Sequence, residues 1–109
     1  MATITNLWED FPPASAGEET VAEILRSGPL RIERIVSHGQ ISAADFWYDQ
    51  QEHEWVTLLQ GEASLSFADG TETRLKTGDC LLLSAHQKHR VTHTSTEPPC
   101  IWLAVFWLP

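Results

Sequence analysis

The amino-acid sequence predicts an all-β domain, a β-sandwich or small barrel, with one short helix near the N-terminus. Three observations favour this fold class. From residue 30 onward, about eight short apolar segments alternate with turn residues at regular spacing. Asp69 and Gly70 lie between two alternating segments and are typical of a tight β-hairpin. The segment 101–108 is apolar at every position, as in a strand that is buried on both faces.

The chain is predicted to consist of an N-terminal segment, residues 1–29, followed by a barrel, residues 30–109. Residues 1–16 have no regular pattern, but they include Leu7 and Trp8, which are too apolar for a free tail. We therefore expect this stretch to pack against the domain or against a second subunit. At 109 residues the chain is long enough for one hydrophobic core.

One helix is predicted over residues 17–27. Glu18 and Glu19 would lie in its first turn, where carboxylates are favourable, and its apolar residues would form one stripe. Gly28 and Pro29 would end it. All later elements are predicted to be strands, with glycine, aspartate or proline in most of the turns between them. Their predicted ranges are 30–36, a strand beginning at 46–48, 54–60, 62–67, 71–75, 80–83, 89–94 and 101–108.

Composition and charge exclude several classes of function. The chain has a formal net charge of −8, which repels nucleic acid and anionic lipid. No apolar segment approaches the roughly 20 residues of a membrane span, and no secretory signal follows the first residue. The 2 cysteines lack the spacing of a metal finger, and we expect both thiols to stay reduced. The sequence therefore predicts a cytoplasmic protein that binds neither nucleic acid nor membranes.

Two segments carry side chains that are suited to chemistry. The first runs from Glu54, through an apolar strand, to Gly61, and the second runs from Gly78 to His89. Together they resemble the two motifs of the cupin superfamily, in particular its small single-domain conserved barrels. The resemblance covers about residues 31–106. It implies a jelly-roll, or double-stranded β-helix, barrel with the functional site inside.

The first of these motifs is degenerate. Metal-binding cupins place His-x-His a few residues before the glutamate, whereas residues 47–51 contain no histidine. With the usual spacing, Tyr48 and Gln50 occupy the two histidine positions. With a longer variant, Trp47 and Asp49 occupy them. Two of the four metal ligands that the resemblance implies are therefore missing.

The resemblance still implies a divalent metal site with a reduced ligand set. Glu54 and His89 occupy ligand positions of the two motifs, and His93 would share the face of His89 because strand side chains alternate. Gln50 or Asp49 would add an oxygen ligand. A carboxylate with two imidazoles suits iron, manganese, nickel or zinc and leaves positions open for substrate. Alternatively, the two histidines form hydrogen bonds in a polar pocket without metal, or His93 is exposed.

Several of these residues are also predicted to bind or act on a substrate. Glu54 would be a general base or a ligand, because a carboxylate inside a barrel is costly unless it is paired, metal-bound or protonated. The alternative is a carboxylate at the rim that pairs with a basic residue. Tyr48 can donate its hydroxyl hydrogen or act as an acid. Tyr48, Gln50 and His86 are predicted to line the substrate pocket, although His86 would also suit a structural hydrogen bond in its loop.

Two main functional hypotheses share this cavity. In the first, the protein is a metal-dependent oxygenase or isomerase that acts on a small polar molecule. In the second, it binds or senses such a molecule without metal and without catalysis. A dimeric partner-binding domain with a vestigial pocket is a third possibility. The apolar segment 101–108 and the 5 tryptophans predict a homodimer, unless the N-terminal segment covers this strand within one chain.

Overall fold

The computed structural model describes residues 2–11 and 17–109, which fold into eight strands and, within these ranges, no helix. The strands are β1 (Thr20–Ser27), β2 (Leu30–Ser37), β3 (His53–Gln60), β4 (Glu62–Phe67), β5 (Glu72–Lys76), β6 (Cys80–Leu83), β7 (His89–Thr94) and β8 (Cys100–Trp107). Five strands form one sheet in the order β1-β2-β8-β3-β6, and three form another in the order β5-β4-β7. The predicted all-β fold is confirmed. No helix in the described part of the chain could span a membrane.

The prediction of a helix over residues 17–27 is wrong. Thr20–Ser27 is an edge strand that pairs antiparallel with β2. Gly28 and Pro29 form the turn of this hairpin, and Gly28 has a φ of 56°, a left-handed conformation that glycine adopts without steric cost. A glycine–proline pair can end a helix or close a hairpin. So short a helix is marginal without packing, and pairing with β2 stabilises the strand instead.

The hydrophobic core lies between the two sheets. Strand β8 is central in the larger sheet, between β2 and β3, and its inward-facing Trp102, Ala104 and Phe106 are buried. Neighbouring strands add apolar side chains that point the same way, since directly paired residues of antiparallel strands share a face. The buried cluster consists of Val56, Leu58, Ala63, Leu65, Leu75, Leu83, Cys100, Trp102, Ala104 and Phe106.

The outer face of β8 is less completely covered than its inner face. Leu103, Val105 and Trp107 point away from the core and are partly buried. Residues 7–10 cover part of the neighbouring strand β2, where the outward-facing Arg34 donates a hydrogen bond to the backbone oxygen of Glu9 at 2.6 Å. Full burial of both faces of β8 is therefore not reached within the described part of one chain. The homodimer stays a prediction.

A candidate ligand-binding cavity

A cavity of about 210 Å³ lies between the two sheets. Its lining combines apolar side chains with a few polar groups that converge, which is typical of a small-molecule site. The polar residues are Glu19, Arg31, Glu33, Tyr48, Gln50, Glu54 and His89. The apolar residues are Val21, Ile35, Val56, Leu65, Leu83, Val91, Trp102 and Phe106.

The strand register of the larger sheet places three of its charged side chains, Arg31, Glu33 and Glu54, in the cavity. Phe106 on β8 lies between Arg31 on β2 and Glu54 on β3, so these three residues form one row on the inner face. The next row along the sheet holds Glu33, the small Ala104 and Val56. A small residue in the middle of this row leaves space between larger neighbours.

Glu54 is a buried carboxyl group, with only 7% of its surface exposed. The side-chain amide of Gln50 donates a hydrogen bond to its Oε1 at 3.1 Å. The pKa of Glu54 is raised from 4.5 to about 7, mainly by burial and also by the nearby carboxylates Glu33 and Glu19. The Gln50 hydrogen bond and the charge of Arg31 oppose this rise. Glu54 therefore exchanges its proton near neutral pH.

His89 presents one free ring nitrogen. It is 5% exposed, and its Nδ1 lies 2.9 Å from the backbone oxygen of Gln87. Because a carbonyl oxygen only accepts, Nδ1 carries the hydrogen. Burial lowers the pKa of His89, which favours the neutral ring. Nε2 is then a hydrogen-bond acceptor with no protein partner among the described residues.

Tyr48 joins the segment before β3 to strand β7. Its ring stacks on His89, with centroids 5.2 Å apart and planes inclined by 20°. The two backbones also pair: Tyr48 donates to the oxygen of His89 at 2.8 Å, and His89 donates to the oxygen of Tyr48 at 3.2 Å. Burial, together with the charges of Glu19 and Glu54, raises the pKa of Tyr48, so its phenol stays protonated.

Arg31, Glu33 and Glu19 also line the cavity, although the sequence did not indicate them. Arg31 donates from Nε to Glu33 at 3.1 Å and forms a second ion pair with Glu52. Residues 31, 33 and 35 share the inner face of β2. Both faces of this strand carry charged residues, so its pattern alone does not identify the inner face. Glu19 was assigned to the first turn of the helix that is absent.

The comparison with known families agrees with this architecture. A profile described as the cupin domain matches residues 33–106, a range that includes both Glu54 and His89. The chain belongs to the cupin family. The resemblance of the two motifs to those of the cupin superfamily is thereby confirmed. No curated protein matches this cupin.

Several solved structures resemble this cupin over nearly its whole length. A protein from Ralstonia eutropha JMP134, provisionally described as a mannose-6-phosphate isomerase, is 37% identical with a TM-score of 0.92, over 99% of this chain and 100% of that one. A conserved double-stranded β-helix protein from Klebsiella pneumoniae is 25% identical, with a TM-score of 0.78 over 98% and 90% of the two chains. A cupin superfamily protein from Desulfitobacterium hafniense, 19% identical with a TM-score of 0.72 over 99% and 100%, supports the fold alone.

The prediction that His93 enters the cavity with His89 is wrong. Strand β7 contains a bulge: Leu65 pairs with Val91, but the preceding Ser64 pairs with His93, so Thr92 is an extra residue. One extra residue reverses the alternation of side chains. His93 therefore points outward and is exposed.

His86 also lies outside the cavity, contrary to its predicted place in the substrate pocket. It occupies a turn with a φ of 64°, and its exposed ring lies with Nδ1 2.7 Å from the carboxylate of Asp49. Asp49 therefore lies at the surface with His86, whereas its neighbours Tyr48 and Gln50 line the cavity. His53 lies on the outer face of β3, where its Nδ1 accepts a hydrogen bond from the backbone of Ala85 at 2.9 Å.

The residues present do not fit a cupin metal site. Glu54 and His89 are the two remaining members of the predicted ligand set, because His93 is outside and Gln50 directs its amide nitrogen to Glu54. Tyr48 offers a protonated phenol. Within the described residues, no group of three or more histidine, cysteine, aspartate or glutamate side chains is placed to hold a metal ion. A divalent metal in proteins usually needs at least three such ligands.

Proposed function

We propose that this cupin binds a small organic molecule in its cavity and acts on it by proton transfer, as an isomerase that needs no resident metal. The observation that carries the proposal is the convergence of Glu54, Tyr48 and His89 on one cavity. A buried carboxyl group, a protonated phenol and a free imidazole acceptor together supply a base, a donor and an orienting contact.

The three side chains have separate chemical roles. Because its pKa is about 7, Glu54 can remove a proton from a hydroxyl-bearing carbon beside a carbonyl group and return it to the former carbonyl carbon, while the hydroxyl proton passes to the former carbonyl oxygen. Tyr48 donates a hydrogen bond to the carbonyl oxygen while negative charge develops there. His89 accepts a hydrogen bond from a substrate hydroxyl or amine through Nε2 and so fixes its orientation.

The description of the Ralstonia protein supports the isomerase class, but the cavity does not suit a phosphate ester. Phosphate recognition relies on arginine, lysine or backbone amides that are free to contact its oxygens. Arg31 is the cationic residue among the described lining residues, and Glu33 and Glu52 already engage it. A phosphate dianion would also face the carboxylates of the cavity. We therefore favour an uncharged or cationic substrate.

Hydrogen–deuterium exchange at carbon tests this proposal. Small carbonyl compounds that raise the melting temperature are incubated with the protein in D₂O containing EDTA, and NMR follows the loss of the C–H signal next to the carbonyl. We expect exchange with the wild-type protein. Glu54→Gln should slow it by about 100-fold or more while binding persists. Glu62→Gln, an exposed position on the outer face of β4, is the matched control and should exchange normally.

Three outcomes would contradict the proposal in different ways. Stabilisation without exchange would contradict catalysis and favour the metal-free binding or sensing alternative. Exchange that stops in EDTA and returns with one divalent ion per chain would contradict metal independence. A failure of every small molecule to stabilise the protein would contradict ligand binding itself, because a ligand that binds only the native state must raise its stability.

A further inference from the structure

We infer that the cavity selects a small organic cation, one that carries an ammonium or amidinium group; this inference rests on the proposed function of the cavity as a small-molecule site. The first reason is the balance of charge. Glu19, Glu33 and Glu54 line the cavity, and Arg31 is the one cationic side chain among the described lining residues. Arg31 is also paired with Glu52, which lies outside the lining. The negatively charged side chains in the cavity therefore outnumber the positively charged ones, and a cationic ligand would balance this charge.

The second reason is the balance of hydrogen-bond donors and acceptors. The donors Arg31 and Gln50 are already engaged with carboxylates, Gln50 with Glu54 at 3.1 Å, which leaves the Tyr48 hydroxyl as the side-chain donor that a ligand can use among the described lining residues. His89 faces the cavity with an acceptor, Nε2, because Nδ1 donates to a backbone oxygen. A ligand therefore satisfies this lining best when it brings N–H donors, and buried acceptors left without donors are costly. Ammonium and amidinium groups carry several such donors and no acceptor.

The third reason is the aromatic part of the lining. Tyr48, Trp102 and Phe106 contribute rings to the cavity wall. The guanidinium carbon of Arg31 already lies 4.1 Å from the centroid of the Phe106 ring. The face of an aromatic ring attracts cations, most strongly where water is excluded. Rings and carboxylates together favour a cation over a neutral molecule of the same shape.

Three probes of matched shape and different charge test this inference: benzamidinium, benzamide and benzoate. Binding is measured by thermal shift and by NMR of the Tyr48 ring, which is the single tyrosine of the chain and so gives an unambiguous signal from the cavity wall. We expect benzamidinium to bind at least about tenfold more tightly than benzamide, since a hydrogen bond to a charged group contributes more than a neutral one. Benzoate should not shift the Tyr48 signal.

Two variants identify the carboxylates that select the cation. Glu19→Gln and Glu33→Gln should each weaken benzamidinium binding by about threefold to tenfold, the effect of losing one partly screened charge, and leave benzamide binding unchanged. Glu62→Gln removes the same charge from the outer face and should have no effect. Equal binding of the three probes, or equal effects of all three variants, would overturn the inference.

The outcomes separate this inference from the proposed function. Tighter binding of benzamide or benzoate at Tyr48 would overturn selection of cations and leave ligand binding intact. A failure of all three probes to bind would also overturn the selection of small organic cations. Deuterium exchange of other carbonyl compounds would in that case still support the proposed isomerase function. Binding of benzamidinium without any exchange reaction elsewhere would support the ligand class and contradict catalysis.

Discussion

The buried carboxyl of Glu54 predicts an unusual dependence of stability on pH. Its pKa is about 7 in the folded protein and 4.5 in the unfolded chain. Between these values the folded state keeps the proton that the unfolded state has lost, so stability falls as pH rises. At about 1.4 kcal/mol per pH unit, the loss between pH 4.5 and pH 7 amounts to about 3 kcal/mol, and the effect is constant above pH 7.

Glu54→Gln removes the titrating group and keeps its shape, so this variant should lose that part of the pH dependence. We expect similar stability to the wild type near pH 4.5 and about 3 kcal/mol greater stability at pH 8. Urea unfolding followed by tryptophan fluorescence at four pH values measures the difference. Groups that do not interact with Glu54 contribute equally to both proteins, and Glu62→Gln should follow the wild type. A constant difference between Glu54→Gln and wild type across this range would refute the assigned environment of Glu54.

Three further predictions concern the turn, the site and the assembly. Gly61→Ala should destabilise the fold more than Gly70→Ala, by at least about 1 kcal/mol in chemical unfolding. Both glycines have a positive φ, but they differ in the space around them. A Cβ at Gly61 would lie 2.7 Å from Ser95 Oγ and 3.1 Å from the Cα of Cys100, whereas a Cβ at Gly70 would meet no atom within 4 Å. Equal losses of stability in the two variants would contradict this packing. Tyr48→Phe should slow deuterium exchange by roughly 100-fold and preserve binding, and an unchanged rate would remove Tyr48 from the chemistry. Light scattering should give twice the chain mass of 12.3 kDa if the predicted homodimer forms; the monomer mass would contradict it.

Two of the residues that the sequence predicts for the site, Glu54 and His89, line the candidate cavity. Each occupies a fixed position in a cupin motif: Glu54 begins the strand that ends at the Gly61 turn, and His89 follows the turn after the strand that begins near Gly78. Tyr48 and Gln50 follow from the usual motif spacing, and they line the cavity as well. These positions are set by local turns and by strand alternation, which are properties of short segments.

The failures have equally local causes. His93 was placed inside because alternation was extended through β7, and a one-residue bulge that the sequence does not mark turned it outward. The segment that forms the edge strand β1 resembles a helix in sequence, because Gly28 can either end a helix or form the turn of a β-hairpin. Pairing with β2 decides between the two structures. Glu33 was missed because β2 has charged residues on both faces, and long-range packing selects which face is inner.

A crystal structure of the protein with a bound organic molecule would show whether the cavity is the ligand site and whether Glu54 and His89 contact the ligand without a metal. The crystals would be grown at neutral pH with an equimolar divalent metal and the molecule that most raises the melting temperature. We expect the molecule to lie between the two sheets, within hydrogen-bond distance of the Glu54 carboxyl and His89 Nε2, with no metal between them. A metal ion bridging these two side chains, or a cavity filled by neighbouring apolar side chains, would contradict it.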